Sequence, residues 1–285
     1  MIDLATPSGA GNDRSPHLKE PLKAVLFDMD GVITDTASAH AECWKRLFDP
    51  FLEERARQQD EPFRPFDSDH DYHEFVDGKP RHDGIVSFLA SRGISLAWGS
   101  ENDPPDADTV YGLGKRKNLF FQNWLEHRPV PAFAATVALI GRLRRAGLKV
   151  AVFSASRNAK AVLASAGVTE LFSVVVDGND LARLQLPGKP DPAMLLETAV
   201  QLGVKPAEAA VVEDAVAGVA AGQAGNFQLV IGIDRGHKIT RLVLAEQLRQ
   251  IAALDLEAGV AGQRHLGQGD RQSAIGQIVR CGHQP

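Results

Sequence analysis

The sequence predicts an α/β fold, a parallel sheet that carries a helical insertion after its first strand. Between residues 132 and 233, short apolar runs alternate with helical patterns. This alternation implies parallel strands joined by right-handed crossovers. A first apolar run, at 23–27, stands apart, because more than a hundred residues separate it from the next one. The apolar residues between the two runs recur at helical spacing and show no strand alternation.

The predicted elements follow from apolar spacing and from loop residues. The strand at 23–27 is followed by a helix at 37–57, in which one alanine and three large apolar residues recur at helical spacing. Prolines, glycines and aspartates mark loops at 62–71 and 99–105. The remaining predicted elements are, in order, helices at 71–75, 82–92, 106–126 and 132–146, a strand at 150–153, a helix at 159–164, a strand at 173–176, a helix at 192–202, a strand at 210–212, a helix at 215–224 and a strand at 228–233.

Length and composition limit the class of protein. A chain of 285 residues with 44% hydrophobic and 24% charged residues can bury a full core. Its net charge of −5 gives no reason to expect nucleic-acid binding. No apolar run is long enough to span a bilayer, and residues 1–20 lack the apolar core of a signal peptide. Cys43 and Cys281 lie at opposite ends of the chain, which favours a reducing compartment. We therefore expect a cytoplasmic protein without a nucleic-acid or membrane partner.

Two aspartates end the first predicted strand. Asp28 and Asp30 are two residues apart, so both side chains point the same way in an extended chain, and Gly31 follows. Open α/β sheets place their active sites beyond the carboxyl ends of strands. Crowded carboxylates repel and need a cation or a shared proton, and Mg²⁺ between Asp28 and a phosphate would meet that need. On these residues alone, a strand followed by an acidic turn is the alternative.

Three later polar clusters accompany predicted strand ends and helix starts. Ser154 follows the strand at 150–153 and precedes a helix whose free N–H groups can bind an anion. Lys189 stands before a proline-initiated helix, and Glu213 and Asp214 follow the strand at 210–212. Each cluster has an ordinary alternative, namely a helix cap, a solvated loop lysine, or carboxylates that favour a helix N-terminus. For the acidic pair, metal ligation and a helix-terminal role both stay open.

The order of these four clusters resembles that of the haloacid dehalogenase superfamily of phosphotransferases, in its β-phosphoglucomutase-like branch. The matching segments are Asp28-Met29-Asp30-Gly31-Val32-Ile33-Thr34-Asp35-Thr36, Ser154-Ala155-Ser156-Arg157-Asn158 and Glu213-Asp214-Ala215-Val216-Ala217-Gly218. The resemblance runs from about residue 23 to about residue 236. It implies a Rossmann-like core at 22–36 and 129–238, with a helical cap domain at 37–128. We expect a flexible tail at 1–21, and a C-terminal helix with a mobile end at 239–285.

The resemblance also implies a phosphoryl-transfer mechanism. Asp28 is expected to be the nucleophile that forms an aspartyl-phosphate, and Asp30 the general acid and base. Ser154 and Lys189 are expected to bind the transferring phosphoryl group.

A divalent cation belongs to the same expectation. By the resemblance, Mg²⁺ is held by the Asp28 carboxylate, the Asp30 backbone carbonyl and Asp214, with Glu213 close by. These are oxygen donors, which suit Mg²⁺.

A sugar-phosphate mutase must hold a bisphosphate in two orientations and therefore needs a second phosphate site. The resemblance places that site at Arg81 of the cap, together with Ser156, Arg157 and Asn158 of the core. Arg157 replaces the more usual lysine, which keeps the charge and adds a bidentate fork. Without the family context, Arg81 reads as a solvated surface arginine.

Further cap residues complete the expected site. Thr36 and His40 are four apart at the start of the first cap helix and share one face. The resemblance places them at the hinge between cap and core, close to Asp30. Lys117 and Asn118 match the cap position that touches the sugar. Read alone, His40 is an interface histidine and the basic run around Lys117 is a solvated helix face.

Three functions compete at this point. The leading one is an enzyme that converts β-glucose 1-phosphate to glucose 6-phosphate through the 1,6-bisphosphate. A sugar-phosphate phosphatase would use Asp28, Asp30 and Mg²⁺ but not the second phosphate site. A binding module that has kept the fold is the third, and the intact motifs argue against it. Lys79 stands where relatives carry an apolar residue of the sugar pocket. We expect a monomer or weak homo-oligomer whose partner is a small sugar phosphate.

Overall fold

A computed structural model describes residues 21–234 and 277–279. Its sheet contains β1 (Ala24–Asp28), β2 (Lys149–Phe153), β3 (Val174–Val176), β4 (Ala209–Glu213), β5 (Leu229–Asp234) and β6 (Gln277–Val279). The strands lie in the order β3-β2-β1-β4-β5-β6. Strands β1 to β5 are parallel and β6 is antiparallel to β5. The predicted parallel sheet is confirmed.

Helices cover the sheet and fill the insertion. The described α-helices are α1 (Ala37–Gln59), α2 (Arg81–Ser91), α3 (Val110–His127), α4 (Ala134–Arg145), α5 (Ala159–Ser165), α6 (Gly178–Leu184), α7 (Ala193–Leu202) and α8 (Val216–Ala224). A π-helix lies at Tyr72–Val76, and 3₁₀ turns lie at Thr169–Leu171 and Pro206–Glu208. Helices α1 to α3 and the π-helix all fall between β1 and β2, which confirms the helical insertion after the first strand.

The strand order reverses beside β1. From β1 the chain runs outward through β2 and β3, and it then returns to the other side of β1 for β4 and β5. Every residue of β1 is buried, as is typical of a central parallel strand covered on both faces. Val25 and Phe27 join one apolar cluster and Leu26 joins the cluster on the opposite face. Because a crevice opens where the strand order reverses, Asp28 lies at the mouth of that crevice.

The insertion has an apolar cluster of its own. Phe48 and Phe88 pack with ring centroids 4.2 Å apart, and Phe66 meets Phe88 at 5.0 Å. Trp44 and Leu47 on α1 join the same cluster, so the helical spacing predicted for this helix marks its buried face. The insertion can therefore hold polar side chains in fixed positions over the sheet edge. The domain boundaries stay predictions.

The bounds of the helices in the insertion differ from the predicted ones, and two helices differ in a way that has a structural cause. The helix predicted at 106–126 begins at Val110, because Thr109 caps it by accepting the Gly112 N–H at 3.0 Å. The helix predicted at 71–75 is a π-helix at Tyr72–Val76. The Asp77 N–H donates to the Tyr72 carbonyl at 2.9 Å, which is the five-residue spacing of a π-turn.

Helix α6 and strand β6 were not predicted. Helix α6 is only seven residues long, and Asp177 caps it by accepting the backbone N–H groups of Asn179 and Asp180. Strand β6 pairs with the edge of the sheet at β5. Residues 1–20, 235–276 and 280–285 lie outside the described residues, as do the predicted N-terminal tail (apart from residue 21) and C-terminal helix. Within the described ranges, no helix combines the length and apolar character needed to cross a bilayer.

Candidate active site

A cavity of about 730 Å³ lies between the carboxyl edge of the sheet and the helical insertion. The predicted site residues that line it are Asp28, Asp30, His40, Arg81, Lys117, Ser154, Ser156, Arg157, Asn158, Lys189 and Asp214. Thr36, Asn118 and Glu213 each bond to one of these lining residues. The structure therefore brings all the predicted site residues to one place, although they come from both the core and the insertion.

Asp28 and Asp30 stand where β1 ends. Asp28 is only 5% exposed, and Asp30 is half-buried. Burial raises the pKa of Asp28 well above its usual range, and the neighbouring Glu213 and Asp30 add to the effect while Lys189 opposes it. Gly31 turns the chain at a φ of +78°, and a Cβ there would lie 1.7 Å from the Asp214 carboxylate. Only glycine fits this turn, because it lets Asp214 approach the aspartate pair.

Lys189 supplies the positive charge at this end of the cavity. Its side chain is buried, and Nζ donates to Asp28 Oδ1 at 2.5 Å and also to Glu213 Oε1. Burial disfavours the ammonium, but Asp28 and Glu213 outweigh it and raise the pKa of Lys189 above its ordinary value. The lysine therefore stays charged and is held against the predicted nucleophile.

Glu213 and Asp214 have different surroundings although they are adjacent. Glu213 is fully buried, and besides Lys189 it accepts the Ala215 N–H at 2.5 Å. Asp214 lines the cavity. Burial raises the pKa of Asp214 well above its usual range, and the charges of Glu213, Asp77 and Asp28 raise it further. Glu213 thus positions the lysine, while Asp214 remains available to a cation.

The carboxylate crowding fits a hard divalent cation. Asp28 and Asp214 both have raised pKa values because they are buried beside other carboxylates, and a bound cation would relieve that repulsion. Within the described part of the chain, no group of three or more His, Cys, Asp or Glu side chains is arranged to hold a metal ion. Carboxylate oxygens such as those of Asp28 and Asp214 are donors that suit Mg²⁺, which keeps several waters and takes other ligands from substrate phosphates.

Ser154 follows β2 and faces the aspartates. It is buried, and its hydroxyl donates to Asp30 Oδ2 at 3.4 Å while it accepts the Ser156 N–H at 3.1 Å. The Ser154 N–H donates to the Val176 carbonyl. The serine is therefore fixed at the sheet edge by β3 and by Asp30, which follows β1.

Asp30 is held from the cap side by Thr36 and His40. The Thr36 hydroxyl donates to Asp30 Oδ1, and His40 Nε2 lies 3.4 Å from the same oxygen. Burial disfavours the charged carboxylate, but His40 and Thr36 lower the pKa of Asp30. The His40 ring stacks on Phe121 at 4.2 Å, so its plane is fixed.

Lys117 lies behind His40. Its Nζ is 2.7 Å from His40 Nδ1 and sits over the rings of Trp44 and Phe121 at 4.9 and 5.2 Å. Burial and the charge of Arg81 lower the pKa of Lys117 to about 7. Burial and Lys117 also lower the pKa of His40. In its charged form Lys117 donates to Nδ1, and the His40 proton then lies on Nε2, the nitrogen that faces Asp30.

The opposite end of the cavity carries a second polar cluster. Arg81 donates to the Gly114 carbonyl at 3.2 Å and to Asn118 Oδ1 at 2.9 Å. Asn158 of the core donates to the same Asn118 oxygen at 3.0 Å, and Ser156 accepts the Asn158 N–H. This contact joins the cap to the core.

Two arginines, Arg81 and Arg157, line this part of the cavity. Burial and the neighbouring charge of Arg157 lower the pKa of Arg81 to about 10. Neither Arg81 nor Arg157 forms an ion pair with a carboxylate among the residues the structure describes. Two neighbouring cations without a partner anion form a site suited to a phosphate.

Some cavity residues were missed by the sequence analysis. Tyr72 and Asp77 line the cavity, one π-turn apart, and His73 Nδ1 lies 3.2 Å from Asp77 Oδ2. Burial, and then Asp77, raise the pKa of Tyr72 well above its usual range. His82 also lines the cavity, next to Arg81. A π-helix has no sequence signature of its own, so nothing in the sequence indicated that Tyr72 and Asp77 face the site.

Comparison with known proteins is consistent with this geometry. The haloacid dehalogenase-like hydrolase family model matches residues 22–226. The chain is 48% identical over 236 residues to a Mycobacterium bovis beta-phosphoglucomutase, covering 83% of this chain and 89% of that protein. It is 34% identical to a Bacillus subtilis beta-phosphoglucomutase, covering 83% and 93%. A crystal structure of a Clostridium difficile beta-phosphoglucomutase has the same fold, with a TM-score of 0.62 at 21% identity, covering 83% and 99%.

Proposed function

The chain belongs to the haloacid dehalogenase-like hydrolases, in their β-phosphoglucomutase-like branch, and we propose that it converts β-glucose 1-phosphate to glucose 6-phosphate through glucose 1,6-bisphosphate. The observation that carries the proposal is that one cavity is lined both by Ser154 and Lys189 beside the aspartates and by the two arginines Arg81 and Arg157. A mutase holds a bisphosphate with one phosphate at the reacting centre and the other at a distance. A phosphatase needs only the first of these sites.

The reacting centre is proposed to be Asp28 with its neighbours. A carboxylate oxygen of Asp28 attacks phosphorus as the bond from phosphorus to the sugar oxygen breaks, and Asp30 protonates that oxygen. In the reverse direction, Asp30 takes the proton of the accepting hydroxyl while the phosphoryl group leaves Asp28. Lys189 and Ser154 flank the aspartates and would stabilise the charge on the phosphoryl oxygens.

Thr36, His40 and Lys117 are proposed to orient Asp30. The hydroxyl of Thr36 and the Nε2–H of His40 both face Asp30 Oδ1. The other carboxylate oxygen, Asp30 Oδ2, faces Ser154 and the cavity. Because His40 lies on α1, the first helix of the insertion, and Thr36 is the N-cap residue of that helix, the orientation of the acid depends on the position of the cap.

Mg²⁺ is proposed as the cofactor. Asp28, the Asp30 carbonyl and Asp214 would hold it, with Glu213 positioning Lys189 nearby. When bound, the cation neutralises charge on the crowded carboxylates and on the phosphoryl group. The nucleophilic attack, the proton transfer and the binding of the phosphoryl oxygens are proposed for the side chains already described.

The second anion site is proposed to hold the phosphate that does not react. Arg81 and Arg157 supply two guanidinium groups, and Ser156, Asn158 and Asn118 supply hydrogen-bonding groups around them. A bidentate guanidinium fork suits a phosphate dianion. The cytoplasmic location and the monomeric or weakly associated state stay predictions.

The test supplies pure protein with Mg²⁺ and β-glucose 1-phosphate, with and without a trace of glucose 1,6-bisphosphate. Glucose 6-phosphate and free phosphate are measured in parallel, and Asp28→Asn protein is the inactive control. The proposal predicts bisphosphate-primed formation of glucose 6-phosphate with little free phosphate. Free phosphate without glucose 6-phosphate would instead identify a sugar-phosphate phosphatase, in which water accepts the phosphoryl group.

A further inference from the structure

His82 is a cavity residue whose ring is held by packing alone. It lies on α2 beside Arg81 and lines the same cavity. Its imidazole packs on Tyr111 of α3, with ring centroids 4.5 Å apart. A Cβ at Gly114 would come within 2.6 Å of His82 Nε2, so the glycine is what leaves room for the ring. In the described part of the chain, neither ring nitrogen of His82 makes a hydrogen bond.

The two charges that act on the titration of His82 are positive, although the carboxylate of Asp83, the next residue on α2, also lines the cavity. Arg81 acts on it from its own helix and Arg157 from the core, while α3 offers only the Tyr111 ring and the Gly114 backbone. Burial, Arg81 and Arg157 lower the pKa of His82 to about 4. The free protein therefore holds a neutral imidazole at pH 7, near the positive charges of Arg81 and Arg157.

We propose that His82 is a third ligand of the phosphate at the second anion site, and that it takes up a proton from solvent as that phosphate binds. The inference rests on the proposed function, which places a phosphate there. A phosphate carries a charge of about −1.5 to −2 near pH 7. Beside His82 it offsets the two guanidinium charges that disfavour the imidazolium, and it offers an acceptor to the ring N–H groups. With a protonated His82, the site therefore matches the charge of a phosphate dianion better than the two arginines alone would.

The test measures proton uptake on binding. Asp28→Asn protein binds glucose 1,6-bisphosphate without transferring phosphate, so it serves as the parent for titration calorimetry at pH 6.5 in two buffers of different ionisation enthalpy. The parent is expected to take up protons as the bisphosphate binds. Adding His82→Gln keeps a hydrogen-bonding group but removes the titration. The uptake should then fall, and binding should weaken by about tenfold, as expected for a lost charge-assisted hydrogen bond.

A matched control is His127→Gln in the same parent, because His127 is an exposed histidine at the end of α3 and lies outside the cavity lining. It should leave uptake and affinity unchanged. The His82 ring proton resonances of the parent give a second readout that needs no further substitution, since they should move to their protonated positions when bisphosphate is added.

Two outcomes would overturn the proposal, and they differ in what else they affect. Bisphosphate binding with the same proton uptake in the His82→Gln protein, or with unshifted His82 resonances, rejects the role of His82 and leaves the proposed function standing. Failure of the parent to bind bisphosphate at all rejects both.

Discussion

The two ends of the cavity are built with opposite charge balance. At the sheet edge, Lys189 is bonded to both Asp28 and Glu213, and further carboxylates surround it. At the far end, Arg81 and Arg157 both line the cavity, and neither makes an ion pair with a described carboxylate. The first end therefore needs an added cation, and the second needs an added anion. A bisphosphate with Mg²⁺ supplies both.

The two ends also differ in what holds them. The sheet-edge residues stand directly on strand ends, which pair in fixed register, such as Asp28 with Phe153. The far end depends on a contact across two parts of the chain, because Asn118 of α3 accepts from both Arg81 and Asn158. Phosphoryl chemistry is thus built into the core, whereas recognition of the second phosphate requires the cap to lie against the core.

Lys189 gives the largest expected effect. Lys189→Met removes the only side chain described as bonding to both Asp28 and Glu213, and with it the charge beside the transferring phosphoryl group. We expect kcat to fall on the order of 100- to 1000-fold, as when one electrostatic donor is lost from an active site. Steady-state assays of glucose 6-phosphate formation measure this effect. Bisphosphate binding at the far end should change much less.

Folding is the control for this substitution, because it leaves two buried carboxylates without their cation. Thermal unfolding of Lys189→Met, with and without Mg²⁺, shows whether the protein is still folded at the assay temperature. Near-normal turnover in folded protein would reject the assignment of Lys189.

Arg81 gives an effect of a different kind. Arg81→Ala removes a guanidinium from the far end but leaves Asp28, Asp30 and Lys189 in place. Loss of a charged hydrogen-bonding partner costs about 1.5–3 kcal/mol, so we expect kcat/KM for the mutase reaction to fall by about 10- to 100-fold. Hydrolysis of the aspartyl-phosphate by water should persist, so the ratio of free phosphate to glucose 6-phosphate should rise.

Arg128→Ala is the matched control, since Arg128 is exposed and, within the described residues, its ion pair is with Glu42 at 3.6 Å. It should leave both products unchanged. If Arg81→Ala lowered the two products in equal proportion, the two ends of the cavity would not have separate roles.

The same contrast explains how much could be predicted. Motifs such as Asp28-Met29-Asp30 and Glu213-Asp214 follow apolar strands, and strand ends meet at one sheet edge, so the reacting centre could be predicted from order along the chain. The family resemblance also located Arg81 and Asn118. The fold class followed from βα alternation because parallel strands are apolar throughout.

Residues placed by tertiary packing could not be predicted in the same way. Helix α6 is short and its formation depends on the Asp177 cap. The cavity position of His82 depends on space at Gly114 of another helix. Tyr72 and Asp77 face the cavity because the chain forms a π-turn there. None of these three features depends on the periodicity of apolar residues, which is the main signal of secondary structure that a single sequence offers.

Lys117 lies between the two ends, and the effect expected from it is on stability and not on turnover. Burial and Arg81 lower its pKa to about 7 from an ordinary 10.5. Between these pH values the unfolded chain holds a proton that the folded protein has lost, so stability rises with pH, by at most ~1.4 kcal/mol per pH unit. Lys117→Met fills similar space but does not titrate. The difference in unfolding free energy between wild type and Lys117→Met should therefore shift in favour of wild type from pH 7 to pH 9.5.

Urea unfolding at several pH values measures that difference, and a constant value across pH 7 to 9.5 would contradict the shifted pKa. Repeating the series in Arg81→Ala protein tests whether the ends communicate. Removing the guanidinium should raise the pKa of Lys117, so the pH-dependent gain should begin at higher pH. Lys117 bonds to His40, and His40 faces Asp30. Such a shift in the pKa of Lys117 would therefore mean that the charge at the second anion site acts on Asp30, the proposed acid, by way of Lys117.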